Sequence, residues 1–103
     1  MIKVTILYPG GESLTFDMDY YCNQHMPMAQ RLFGEACKGI AVEEGVRGAE
    51  PGSQATYAAM GHFFFDSVEA FDEAMKAHAA EILGDIPNYT NAMPSVQMSE
   101  VKI

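Results

Sequence analysis

A chain of 103 residues, 49% hydrophobic and 19% charged, reads as one folded domain over residues 1–103, long enough for a real core and too apolar to be disordered. Its 14 acidic residues against 6 basic ones leave a net charge of −8, which argues against nucleic acid and anionic membrane as partners, since both demand cations to neutralise phosphate. Two cysteines suit free thiols in a reducing compartment better than a disulfide framework.

Met1-Ile2-Lys3-Val4 runs straight into a strand pattern, with no leader and no apolar run long enough to span a bilayer, so the expectation is a cytoplasmic protein. From Ile2 to Tyr8 the chain alternates, and Pro9-Gly10-Gly11 closes that first strand with a turn. Asp17 is a natural N-cap for a helix running to Phe33, with Gly34 and Gly39 bracketing its end. Met18, Tyr21, Cys22, His25, Met28, Ala29 and Leu32 recur at helical spacing and predict one inward stripe. Pro27 lacks a backbone donor and clashes with the preceding turn, which predicts a kink or break just after His25.

A weaker strand candidate covers Ile40 to Arg47, followed by the polar loop Gly48-Ala49-Glu50-Pro51-Gly52-Ser53-Gln54. Tyr57 to Phe65 is the strongest strand: Tyr57, Ala59, Gly61, Phe63 and Phe65 point one way, and Ala58, Met60, His62 and Phe64 the other. Both faces are largely apolar, so both should be covered. Asp66, with Glu69 three residues on, resembles a capping box opening a second helix. That helix carries Val68, Phe71, Met75, Ala79 and Ile82 on its stripe and ends at Gly84. Asp85 to Asn91 is turn-rich, and Ser95 to Lys102 is a last strand with Val96 and Met98 on one side.

The order is strand, helix, strand, strand, helix, strand. It predicts an α+β, ferredoxin-like βαββαβ fold, a four-stranded antiparallel sheet with both helices on one face. Two helices cover only one face, so the Met60/Phe64 side must meet another subunit or enclose a cavity. A homodimer packed face to face is the expectation.

The pattern Phe16-Asp17-x-x-Tyr20-Tyr21-x-x-x-His25-x-Pro27-Met28 resembles the signature of the EthD family, named for a protein of ethyl tert-butyl ether degradation. The likeness continues in Phe65-Asp66-Ser67, in Asp85-Ile86-Pro87-Asn88-Tyr89-Thr90 and in Pro94-x-Val96-Gln97. It implies a dimeric α+β barrel, with a pocket between each sheet and its helices or loops. It also implies a place in the catabolism of ethers or aromatics. Relatives of similar fold include lactone isomerases, polyketide cyclases, cofactor-free monooxygenases and haem-degrading proteins, so the fold alone does not choose a chemistry.

His25 titrates near neutrality and can act as general acid or base, or it can be a core histidine bonded to a carbonyl or a tyrosine. Tyr21, four residues before it, shares its face and can hold a substrate oxygen; Tyr20 lies off the stripe and reads more readily as packing. Cys22 stands three residues from His25 and can be read as a thiolate nucleophile or as a small buried hydrophobe. With Phe16, Met60, His62 and Phe64, Tyr20 and Cys22 make up the candidate substrate-contacting set. His78 and Asp85 read as structural or solvent-facing. The three histidines are far apart, without His-x-His or Cys-x-x-Cys, so no metal is expected. Nor is an organic cofactor, although related folds ligate haem through one histidine. The function these residues point to is cofactor-independent proton transfer by His25 on a small hydrophobic oxygenated compound, as an isomerase, a cyclase or an oxidoreductase-associated protein. The alternative is a dimeric, non-catalytic binding module serving a partner oxygenase.

Overall fold

The computed structural model describes residues 1–103. Four strands, β1 (Ile2–Pro9), β2 (Gly39–Glu44), β3 (Tyr57–Phe65) and β4 (Ser95–Glu100), form one antiparallel sheet in the order β2-β3-β1-β4. The first helix is continuous but built in three pieces: α1 (Met18–Tyr20), a π-helical turn (Tyr21–His25) and α2 (Met26–Phe33). The second is α3 (Val68–Gly84), followed by the short 3₁₀ turn Ile86–Asn88. This is the ferredoxin-like α+β arrangement the alternation of elements implied. No helix is long and apolar enough to cross a membrane.

Register explains the core. Pairing sets Val4 opposite Phe63, Ile6 opposite Gly61 and Tyr8 opposite Ala59, so these residues share the face under the helices. Phe33 of α2 meets Phe63 and Phe65 edge-on at 5.2 and 5.4 Å, and Phe71 of α3 meets Phe65 at 5.3 Å. Fully burying such rings is worth roughly 2–3 kcal/mol each, which is why the helices dock on this side. Val96 and Met98, on one side of β4 as expected, share the face under the helices with Ile6 and Val4 and stay 54% and 39% exposed.

Several boundaries differ from the sequence expectation. Pro27 produces no break. Its missing N–H and its ring are accommodated by the π-turn just before it, in which the Met26 amide bonds the Tyr21 carbonyl five residues back. That extra residue also shifts the inward stripe: Tyr21, His25, Met26, Ala29 and Phe33 are buried, whereas Cys22 is exposed. The cap of α3 is Ser67, whose Oγ accepts from the Ala70 amide at 3.1 Å, so the box expected from Asp66 and Glu69 does not form. β2 stops at Glu44 rather than Arg47, with one last backbone bond from the Gly45 amide to the Ala58 carbonyl before the chain leaves the sheet. β4 stops at Glu100 rather than Lys102, because its partner β1 begins there.

The other face of the sheet carries Thr5, Leu7, Met60, His62 and Phe64 and has no second layer within the chain. Met60 and Phe64 are half-buried. His62 is buried, with its Nδ1 3.0 Å from Thr5 Oγ1. Glu43 Oε2 lies 3.0 Å from His62 Nε2, without the alignment of a hydrogen bond.

Candidate functional site

The π-turn sets the geometry of the site. It turns Tyr21 and His25 to the sheet together, with rings stacked at 5.6 Å and 15°. Asp17 caps the start of α1, its Oδ1 accepting from the Tyr20 amide at 3.0 Å. A second connection brings the partners. Past the end of α3, Asp85 and Tyr89 are carried on a segment tied to the one before α1. The Asp17 amide donates to the Tyr89 carbonyl at 2.7 Å, the Thr90 hydroxyl to the Thr15 carbonyl at 2.7 Å, and Asn91 Nδ2 to the Ser13 carbonyl at 2.9 Å.

Asp85 is therefore neither solvent-facing nor idle. Tyr20 O–H donates to its Oδ1 at 2.7 Å, and Asn88 Nδ2 donates to the same oxygen at 2.9 Å. His25 Nδ1 lies 2.9 Å from the other oxygen, Oδ2. Burial pushes the Asp85 carboxyl up, but the hydrogen bonds from Tyr20, Asn88 and His25 outweigh it and hold the group below the usual carboxylate range. An ionised carboxylate only accepts, so His25 Nδ1 carries a proton. Burial lowers the His25 pKa against the opposing pull of Asp85, so at neutral pH the ring is uncharged and its Nε2 is the free base. The Tyr89 hydroxyl faces that nitrogen at 3.4 Å and hydrogen-bonds the Tyr8 hydroxyl on its other side.

Beside this group lies a cavity of ≈ 90 Å³ walled by 14 residues, 12 of them hydrophobic. Tyr8, Tyr21 and His25 supply its polar atoms, among apolar neighbours such as Ile6, Phe63 and Val96; no lysine or arginine lines it. The Tyr21 hydroxyl is buried against Gly61, and the neighbouring Tyr8 hydroxyl is not aligned for a hydrogen bond with it. Burial pushes its pKa, and that of Tyr89, far above the ordinary phenol range. An unpartnered buried hydroxyl is costly in free energy, and it is a donor free for a ligand oxygen.

Of the residues singled out from the sequence, His25 and Tyr21 meet in this cavity. Tyr20 reaches the site only through Asp85, and its hydrogen bond to that carboxylate raises its pKa. Phe16 packs edge-on against Tyr8, Tyr21 and Tyr89 at 5.0, 5.1 and 5.5 Å, closing the aromatic cluster without lining the cavity. Cys22 is exposed, outside the cavity wall, and pairs with no histidine. Met60, His62 and Phe64 lie on the opposite face of the sheet. Sequence reasoning missed Asp85, Tyr89 and Tyr8 as members of the site. The signal for the first two was present in the Asp85-Ile86-Pro87-Asn88-Tyr89-Thr90 stretch, and for Tyr8 in its phase on β1. No three His, Cys, Asp or Glu side chains converge anywhere in a way that could hold a metal ion.

With the geometry in view, the comparisons are direct. No curated protein matches the chain. A crystal structure of an EthD-like protein from Ralstonia eutropha JMP134 is 47% identical, covering 99% of this chain and 92% of that one, with a TM-score of 0.96. An ethyl tert-butyl ether degradation (EthD) family protein from Bacillus halodurans C-125 shares the fold at 19% identity and a TM-score of 0.67, over 99% of each chain. The model of the EthD domain matches residues 10–92, a span that includes Phe16, Tyr20, Tyr21, His25, Asp85 and Tyr89, and the chain belongs to the EthD family.

Proposed function

We propose that the protein is a cofactor-independent enzyme of small-molecule catabolism, in which His25 takes a proton from a neutral, compact, oxygenated hydrophobic compound. The observation that carries this reading is buried His25, paired to partly buried Asp85, beside an apolar cavity that holds a Tyr21 hydroxyl without an aligned partner. Loss of a proton α to a carbonyl would leave an enolate. Tyr21 O–H would donate to its oxygen, and the imidazolium formed at His25 would face the Asp85 carboxylate before returning the proton at another carbon. With no cation on the wall and a carboxylate close behind it, the site favours neutral ketones, lactones or phenols over carboxylates and phosphates. The family's name supports a place in ether breakdown, where such oxygenated fragments arise, either as an isomerase or cyclase or alongside an oxidoreductase. A homodimer built through the bare sheet face around Leu7, Met60 and Phe64 fits the uncovered apolar area there.

A second reading, a non-catalytic ligand-binding or accessory module for a partner oxygenase, is favoured by the sealing of His25 and Tyr21, 4% and 1% exposed, in helix–sheet packing. The cavity beside them is correspondingly small: a volume of ≈ 90 Å³ is well below the roughly 300 Å³ at which ordinary ligand sites begin. The experiment that separates the two is His25→Ala, assayed for turnover and binding across lactones, phenols and ether-derived alcohols. Lost turnover with binding and dimer intact supports the enzyme. Binding without turnover in the unaltered protein supports the module.

A further inference from the structure

We propose that Tyr8 is a second acid–base group of the cavity, joined to His25 through Tyr89, so that Tyr8, Tyr89, His25 and Asp85 form one directed proton relay. The inference deepens the proton-transfer reading above and rests on it for its substrate class. The directions follow from Asp85 outward, given that the Tyr89 hydroxyl donates to His25. Asp85 accepts from His25 Nδ1, so Nε2 has no proton to give. Across the 3.4 Å contact only the Tyr89 O–H can donate, and that uses the single proton Tyr89 has. Either hydroxyl can donate in the Tyr8–Tyr89 hydrogen bond; with the Tyr89 proton committed to His25, the relay runs it from Tyr8 O–H to the Tyr89 oxygen. Tyr89 is not part of the cavity wall, whereas Tyr8 and His25 both are. Tyr89 therefore bridges the two from behind, and the Tyr8 oxygen, beside the Tyr21 hydroxyl, keeps a lone pair on the cavity side for whatever occupies it.

The step balances without an oxidant or a metal. A proton leaves a C–H or O–H of the ligand for the Tyr8 oxygen, the Tyr8 proton moves to Tyr89, and the Tyr89 proton moves to His25 Nε2. Both phenols end as they began; the ligand has become an anion and His25 an imidazolium facing Asp85. The reverse sequence returns the proton. Tyr8 is thus assigned as a catalytic residue. Asp85 is a positioning residue, its own orientation held by Tyr20 and Asn88 on the oxygen that His25 does not use. That asymmetry makes Asp85→Asn informative: the new amide oxygen keeps the two donors of Oδ1, and the amide NH₂ then faces His25 Nδ1 as a donor. The histidine proton must move to Nε2, turning the base into a donor toward Tyr89.

The test uses the full chain with ¹⁵N-labelled histidine, observed by NMR, and cyclohexanone in D₂O as the probe for α-proton exchange. His25 is expected to carry its proton on Nδ1 and to switch to Nε2 in Asp85→Asn. Tyr89→Phe and Tyr8→Phe should each leave the proton on Nδ1 while shifting the Nε2 resonance, the second through the first. Each should slow exchange by about 100-fold or more, and the double variant should fall little further than either single one. A proton on Nε2 in the unaltered protein overturns the relay. So does exchange in Tyr8→Phe within about threefold of normal while His25→Ala is dead, since His25 would then act alone. If cyclohexanone is not exchanged at all, it is the proposed substrate class that fails. The relay is then decided by NMR, where an Nε2 signal unmoved by both phenylalanine variants refutes it.

Discussion

Gly61→Ala puts the packing of the site to a quantitative test. Gly61 sits at the centre of β3 on the face under the helices, opposite Ile6 and Val42. A methyl group there would run into the Tyr21 hydroxyl and lie 3.1 Å from Tyr21 Cζ and 3.4 Å from Met26 Cε. The rings of Tyr8, Phe16 and Tyr89 at 5.6, 5.1 and 4.9 Å restrict how far Tyr21 can shift toward the cavity. Overpacking of this kind costs about 1–3 kcal/mol. Alanine recovers about 0.5–1 kcal/mol by narrowing the unfolded ensemble. With a contact this short the overpacking cost stands near the top of its range, about 3 kcal/mol, and the net expectation is a loss of about 2 kcal/mol, a factor of roughly 30 in the folding equilibrium. With a urea m-value of about 1 kcal/mol/M for a chain of this size, the midpoint falls by about 2 M at fixed protein concentration. Tyr21→Phe removes the colliding oxygen, and alone it should be neutral or slightly stabilising, because that hydroxyl is buried without a partner. Combined with Gly61→Ala it should restore at least about 1 kcal/mol, visible as coupling in a double-mutant cycle. A Gly61→Ala midpoint equal to that of the unaltered protein, or strictly additive effects, would refute the placement of Tyr21.

Acid should destabilise the fold in two stages. His25 titrates lower in the fold than its ordinary 6.5, so below that value the unfolded chain binds more protons and stability falls with falling pH. Asp85, also depressed, loses its contribution only below 3.8, as pH falls toward its folded value. Urea midpoints between about pH 7 and pH 5 should drop, and drop less in His25→Gln; an equal drop in the variant assigns the effect to other groups. In the folded protein a thiol reagent should label Cys22 and spare buried Cys37, whose reaction should wait for denaturant; equal labelling would place Cys22 elsewhere. Ser67→Ala should cost about 1 kcal/mol in the same urea assay, whereas Asp66→Ala should cost much less.

The sheet was legible because its signal is local. Period-2 alternation and turn residues mark β1 and β3 almost to the residue, and the order of elements leaves few topologies open. Half of the site was legible for the same reason, as Tyr21 and His25 share one helix. Their partners were not: Asp85 is 60 residues from His25 and Tyr89 is 64, and each joins the site through chain closure that no periodicity encodes. Asp85 in isolation looks like an ordinary acid after a helix end, and only the fold shows that two other residues hold its second oxygen. Cys22 was misread for a different reason, since helical spacing assumes 3.6 residues per turn throughout and the π-turn breaks that count within one turn of the cysteine.

That π-turn gives the site an unusual mutational profile. A π-turn is an α-helix holding one residue too many, so no single substitution need abolish it, but a one-codon deletion can. Loss of Asn23, exposed and unbonded to the site, would let the segment close as a plain α-helix, with Tyr21 and His25 three residues apart instead of four and about one α-helical rise closer along the axis. Both rings would stay on the inner face, and the spacing that stacks them would be lost. Insertion runs the same path backwards: in a helix of this family, one added residue is enough to set two inward rings at the spacing that stacks them.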